Sequence, residues 1–192
     1  MLGFVGCGNM AQAMLKGILA KGLYKADEII VSRRTKEALD ALHEELGVQT
    51  TTDNKEVAEK ADVLVLAIKP YQFADVIPEI APVCKENTLV ISIAAGQTIA
   101  NIEKLFGKTM KIVRTMPNTP ALVGEGMSGM VGGKYADKQD LDFIYKLLST
   151  IGKCIIVDDE AQIDIVTAIS GSGPAFYYNC LLYTSPSPRD YA

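Results

Sequence analysis

The sequence has no block of basic residues. Its 192 residues carry 19 Lys and Arg against 23 Asp and Glu, a formal net charge of −4. A surface built to neutralise nucleic-acid phosphates is therefore excluded. No apolar run reaches the roughly 18 residues that cross a membrane, and the N-terminus lacks a basic flank with a cleavable apolar core. No C-x-x-C pair occurs. Cys7, Cys84, Cys154 and Cys180 stand alone, the pattern of free thiols in a reducing compartment. Repeats and low-complexity tracts are missing too. The expectation is a soluble, globular, cytoplasmic protein with no nucleic-acid or membrane partner. Histidine is nearly absent: His43 is the only one. It lies beside the Leu39, Leu42, Leu46 stripe, away from every motif, and reads as a solvated helix residue rather than a base.

What is present begins at once. Leu2–Val5 is a short apolar run, followed by Gly6, Gly8 and Ala11 in the spacing G-x-G-x-x-A. Each small residue has a task in a dinucleotide site. Gly6 allows a tight strand-to-helix turn, Gly8 lets a pyrophosphate approach the backbone, and Ala11 lets the helix lie close on the strand. The N–H groups of Asn9 and Met10, at the start of the helix, then face the phosphates with the helix dipole behind them. Cys7, inside the loop, reads as a small filler.

The rest of the chain supplies context. Helical spacing predicts helices over 10–19, 36–46 (stopped by Gly47), 55–60 (capped by Asp53 or Asn54), 72–83 (disturbed by Pro78), 99–106 (capped by Thr98), 138–151 and 162–169. Apolar runs predict strands over 29–31, 48–50, 63–67, 89–93, 111–115, 127–131 and 154–157. This alternation implies an α/β fold, a Rossmann-like, doubly wound, mostly parallel sheet with helices on both faces. Ligands in such sheets bind beyond the carboxyl ends of the strands. That rule singles out Gly6–Met10, Ser32–Thr35, Ala67–Pro70 and Ala94–Gly96.

The second strand ends Ser32-Arg33-Arg34-Thr35, where an NAD site carries an acid. Asp27 and Glu28 lie at the wrong end. Two arginines and two hydroxyls suit a ribose 2′-phosphate, though a basic solvated turn has the same composition. Behind the glycine loop the phosphate reading is favoured, so NADP(H) is expected over NAD(H).

Several segments together now resemble one family. They are Phe-Val-Gly-Cys-Gly-Asn-Met-Ala (4–11), Val-Leu-Val-Leu-Ala-Ile-Lys-Pro (63–70), Ile-Ser-Ile-Ala-Ala-Gly (91–96), Arg-Thr-Met-Pro-Asn-Thr-Pro-Ala-Leu-Val-Gly-Glu-Gly (114–126) and Ser-Gly-Ser-Gly-Pro-Ala-Phe (170–176). In this order they are similar to pyrroline-5-carboxylate reductase, over about residues 1–176. The glycine loop is generic, whereas the two proline-containing segments are specific. The resemblance implies an NAD(P)H-dependent reductase that converts 1-pyrroline-5-carboxylate to L-proline. It places Val5–Met10 at the pyrophosphate, Arg33, Arg34 and Thr35 at the adenosine ribose, Asn54 and Ala67, Ile68, Lys69 and Pro70 further along the cofactor, and Ala94, Ala95 and Gly96 at the nicotinamide end. Cyclic-imine reduction needs positioning and a proton, and no metal. Ser170, Gly171, Ser172 and Gly173 offer donors for the substrate carboxylate, or else form a hinge into a second helix at Pro174. Lys69 meets the cofactor or is a surface lysine. Asn118, between two prolines, reads as a rigid turn. Asp158-Asp159-Glu160 reads as exposed turns and caps.

Members of that family continue from the Ser-Gly-Ser-Gly-Pro segment into a long helical domain that builds a homo-oligomer and supplies the expected proton donor. Here the chain departs from the pattern at Tyr177, and Pro186 and Pro188 cannot continue a helix. The implied organisation is a nucleotide-binding domain over 1–169 and the truncated start of the helical domain over 170–192. Regular structure is expected to be lost after about Phe176, and turnover to be impaired. Two alternatives share the N-terminal half: an NADP reductase of the 3-hydroxyacid dehydrogenase or F420-dependent type, and a module that binds NADP(H) without turnover.

Overall fold

A computed structural model describes residues 1–184. Its centre is one eight-stranded sheet, ordered β3-β2-β1-β4-β5-β6-β7-β8. The strands are β1 Leu2–Val5, β2 Ile29–Ser32, β3 Gln49–Thr51, β4 Val63–Leu66, β5 Leu89–Ser92, β6 Lys111–Met116, β7 Gly126–Gly132 and β8 Gly152–Ile156. The first six are parallel. The strand order turns back between β1 and β4, so a crevice opens at their carboxyl ends.

The apolar runs are continuous because the sheet is covered on both faces. Leu2 and Phe4 of β1, with Val63 and Val65 of β4, face a core shared with α1 (Asn9–Ala20), α2 (Lys36–Leu46) and α6 (Lys138–Leu148). Val5, Leu64 and Leu66 face the other core, shared with α3 (Asn54–Lys60), α4 (Phe73–Ile80), α5 (Ile99–Phe106) and α7 (Ala161–Val166). Each such side chain, fully buried, contributes about 1.5–3 kcal/mol. Gly17 lets α1 lie close against the turn after α6, since a Cβ there would stand 2.7 Å from the Thr150 carbonyl oxygen.

Most element ends agree with the sequence expectation within two residues, and the differences have local causes. α4 stops at Ile80 rather than Val83 because Pro82, like Pro78, has no N–H to continue the ladder. α6 stops at Leu148 rather than Ile151. The Ser149 and Thr150 hydroxyls take the last carbonyls, of Tyr145 and Leu147, each at 2.7 Å. β7 runs antiparallel to β6. Only Pro117–Glu125, without an α-helix, connects them, too little for a parallel crossover. The last expected helix ends early: α7 passes into a π-turn over Thr167–Gly171, closed by Ser172 N–H donating to the Thr167 carbonyl at 3.0 Å.

Regular structure does not end near Phe176. α8 runs Gly173–Thr184, since nothing between Pro174 and Thr184 breaks a helix. Its apolar side chains are exposed, Leu182 at 76% and Tyr183 at 80%. Pro186 and Pro188 lie outside the described residues. No helix of the described residues is long and apolar enough to cross a membrane.

Candidate active site

The site is built on the turn after β1. Gly6 has φ +86°, and a Cβ there would stand 2.8 Å from both the Ala67 carbonyl oxygen and Ile68 Cγ2. Both the conformation and the contact demand glycine. Gly6 N–H donates to Ser32 Oγ at 3.3 Å, and Ser32 Oγ donates to Asn54 Oδ1 at 2.7 Å. The glycine loop, the end of β2 and the start of α3 are thereby stitched together at a buried hydroxyl. Asn54 Nδ2 makes no hydrogen bond within the described residues and is left to donate elsewhere.

Gly8 is the N-cap of α1, with no side-chain cap. The first-turn N–H groups of α1 therefore have no side-chain acceptor. A Cβ at Gly8 would meet nothing within 4 Å. A helix N-terminus with free donors, a favourable dipole and open approach is an anion site.

In front of it lies a groove in two parts, of about 350 and 480 Å³, which share Gly8, Ala67, Ile68 and Lys69. The first part is bounded by Gly6 and Cys7, by Ser32–Thr35 and by Asn54. The second is bounded by Asn9–Ala11, Pro70, Ala94 and Ala95. Arg33 is half-buried, and Arg34, Thr35 and Lys69 are exposed. Among the described residues neither part is lined by Asp or Glu. The groove is cationic at its outer end and apolar along its inner end.

Nearly all residues singled out for a dinucleotide meet in this groove. Two do not line it. Val5 is a buried strand residue whose carbonyl accepts from Ala67 N–H at 2.9 Å. Gly96, with φ +70°, sits past the lining at Ala95. Ser170 and Gly173 line a separate pocket of about 380 Å³ beside Asn118, Pro120 and Tyr177. Gly171 joins that segment to the groove: a Cβ there would lie 2.7 Å from Met116 Cε, and Met116 lines the inner part. Ser172 is exposed, and its hydroxyl turns back to the Thr167 carbonyl at 3.2 Å.

Four lining residues escaped the sequence reading as site residues: Gln72, Val76, Ile93 and Met116. Met116 had a signal, a methionine inside the 114–126 segment. Gln72 and Val76 enter from α4 and its preceding turn, with no local cue.

The chemistry of the remaining groups narrows the possibilities. Burial pushes the Cys7 thiol up to about 11, with the Arg33 charge pulling the other way. It is therefore neutral near pH 7 and fills space, as expected. His43 is exposed and donates from Nδ1 to the Val48 carbonyl at 2.8 Å, closing the end of α2. Among the described residues, no group of three or more His, Cys, Asp and Glu is placed to hold a metal ion. Glu160 is not a simple exposed cap. Its Oε1 accepts from Ile99 N–H at 2.8 Å and from Arg114 Nη1 at 3.1 Å. Arg114 is 1% exposed and also pairs with Asp164 at 2.6 Å, so β6 is tied to both α5 and α7.

Comparisons with known proteins fit this geometry. A family described as NADP oxidoreductase, coenzyme F420-dependent, matches residues 1–96. The pyrroline-5-carboxylate reductase of Haemophilus influenzae is 42% identical over 178 residues, covering 93% of this chain and 65% of that protein. The structure of a pyrroline-5-carboxylate reductase from Coxiella burnetii is 40% identical with TM-score 0.89, covering 94% of this chain and 67% of that one. The Plasmodium falciparum pyrroline carboxylate reductase with NADP bound is 32% identical with TM-score 0.83, covering 93% of this chain and 64% of that one. The chain thus spans 65% of the length of the Haemophilus relative.

Proposed function

The chain belongs to the pyrroline-5-carboxylate reductase family, and from that premise we propose that it binds NADPH in the groove and reduces 1-pyrroline-5-carboxylate to L-proline. When bound, the nicotinamide supplies a hydride to the C=N carbon. Everything else is the work of the chain. The free α1 amides and open backbone at Gly8 hold the pyrophosphate. Arg33, Arg34 and Thr35 hold a ribose 2′-phosphate through charge-assisted bonds. Ser32 and Asn54 keep the glycine loop in register. Ala94, Ala95 and Met116 make an apolar wall that keeps water from the reacting carbon. NAD(H) is the weaker alternative cofactor.

One observation carries the nucleotide part: a helix N-terminus without a side-chain cap opens onto a groove edged by arginine and free of acid. The same reading takes 1–169 as the nucleotide-binding unit and the residues from Ser170 onward as the start of a helical unit through which copies associate. The exposed apolar side chains of α8, Phe176, Leu181 and Leu182 among them, support that assembly. All four cysteines are free, which supports a cytoplasmic setting.

Titration of NADPH fluorescence and of NADPH oxidation by the imine tests both parts. Saturable binding with L-proline formation is expected. Binding without oxidation would leave a nucleotide-holding module, and no binding at all would overturn the proposal.

A further inference from the structure

Met116, the last residue of β6, is held on three sides. It packs on the core shared with α3, α4, α5 and α7. It lines the inner part of the groove with Ala94 and Ala95. Its Cε also reaches the π-turn, where a Cβ on Gly171 would stand 2.7 Å away. Carbon atoms at rest lie about 3.5–4.0 Å apart, so that methyl has no room. Nothing else at Gly171 calls for glycine. Its φ is not left-handed. The next nearest atoms, Thr167 Cγ2 and the Val166 carbonyl oxygen, would lie in ordinary contact at 3.9 and 4.0 Å.

The turn is fixed against sliding away. Asn118 Oδ1 accepts from Met127 N–H at 2.8 Å, so its NH₂ faces Ser170 Oγ at 3.0 Å and donates to it. Thr167 Oγ1 donates to the Ile163 carbonyl at 2.8 Å. The core side of Met116 is close-packed. Met116 does not line the pocket beside Asn118. The free space next to it is the inner groove, about 480 Å³. A side chain at position 171 would therefore drive the Met116 S-methyl into that groove.

We infer that Gly171 is a positioning residue for the cofactor: its bare backbone lets Met116 lie back and keeps the inner groove open to the nicotinamide ring. The inference rests on the reading of the inner groove as the nicotinamide end, and it adds the residue that sets its width. Gly171 lines neither part of the groove and acts only through Met116.

Gly171→Ala tests this with one added methyl. NADPH affinity is expected to fall about 10-fold or more, the share of binding that burial of the ring supplies. Affinity for adenosine 2′,5′-bisphosphate, which reaches only the outer groove, should stay within about twofold. Emission of bound NADPH, which reports the apolar surroundings of its nicotinamide, should return toward that of the free cofactor. Tm should stay within about 2 °C, because the groove takes up the displaced side chain. Met116→Ala removes the group that is displaced, so the double variant should bind NADPH as Met116→Ala alone does. A fall in Tm of more than about 5 °C in Gly171→Ala overturns the inference, since Met116 has then not moved into the groove. So does an equal loss for the bisphosphate, or a loss that persists without Met116. Ala95→Phe separates this from the reading beneath it. Ala95 is exposed and lines the inner groove, so a ring there fills the same space by another route. Parental NADPH affinity and emission in Ala95→Phe, or a parent that binds no NADPH, would overturn the nicotinamide reading. A weakened Ala95→Phe chain beside a parental Gly171→Ala chain overturns the role of Gly171 alone.

Discussion

In Gly8→Val the new side chain enters space that no described protein atom occupies. The backbone there has φ −84° and ψ −174°, extended values that valine adopts without strain. A Cβ meets nothing within 4 Å. The cost to the fold is limited to the N-cap of α1, where valine is poorer than glycine by about 0.5–1 kcal/mol. For a chain of this size that lowers Tm by roughly 1–4 °C. The same side chain blocks the approach of a pyrophosphate to the α1 amides. Loss of two charge-assisted hydrogen bonds at about 1.5 kcal/mol each weakens NADPH binding by roughly 100-fold or more. Gly6→Ala is the opposite control. Its residue sits at φ +86° against the Ala67 carbonyl oxygen at 2.8 Å. The fold should lose about 2–4 kcal/mol, or roughly 5–15 °C in Tm. Differential scanning fluorimetry and cofactor fluorescence titration read the two effects separately. A Gly8→Val chain that binds NADPH within threefold of the parent, or that melts as low as Gly6→Ala, would refute the reasoning.

Arg33→Ala should narrow the preference for NADPH over NADH by about 10-fold, read as the ratio of the two dissociation constants; an unchanged ratio would show that Arg33 does not meet the 2′-phosphate. Glu160→Ala leaves Arg114 buried and Ile99 N–H without its acceptor, and should cost about 2–4 kcal/mol in urea unfolding. Asp164→Ala should cost under about 1 kcal/mol, because that carboxylate is 67% exposed. Equal costs would contradict the buried-pair account. At pH 8 a thiol reagent should label Cys180 in the native chain and spare Cys7, Cys84 and Cys154, whose burial raises them from 9.0 to about 11. Folding favours the protonated thiols. Their contribution to stability is complete below pH 9 and declines as pH rises through about 11, which alkaline unfolding would detect.

Local pattern was sufficient for much of this protein. The left-handed turn at Gly6 and the start of α1 are set by the local chain, so spacing alone revealed them. The same holds for the strands buried on both faces and for the Gly47 and Thr98 helix boundaries. Other features required the folded chain, because their partners are far apart in sequence. Ser32 gains its meaning only when Gly6, 26 residues away, and Asn54, 22 away, converge on its hydroxyl. Glu160 looked like a surface cap until Arg114, 46 residues earlier, was buried against it. The direction of β7 followed from a connection too short to cross over. The short run between two prolines showed that Asn118 sits in a turn. Packing brought Ser170 to its amide, and the chemistry of donors and acceptors then left only one direction for that hydrogen bond.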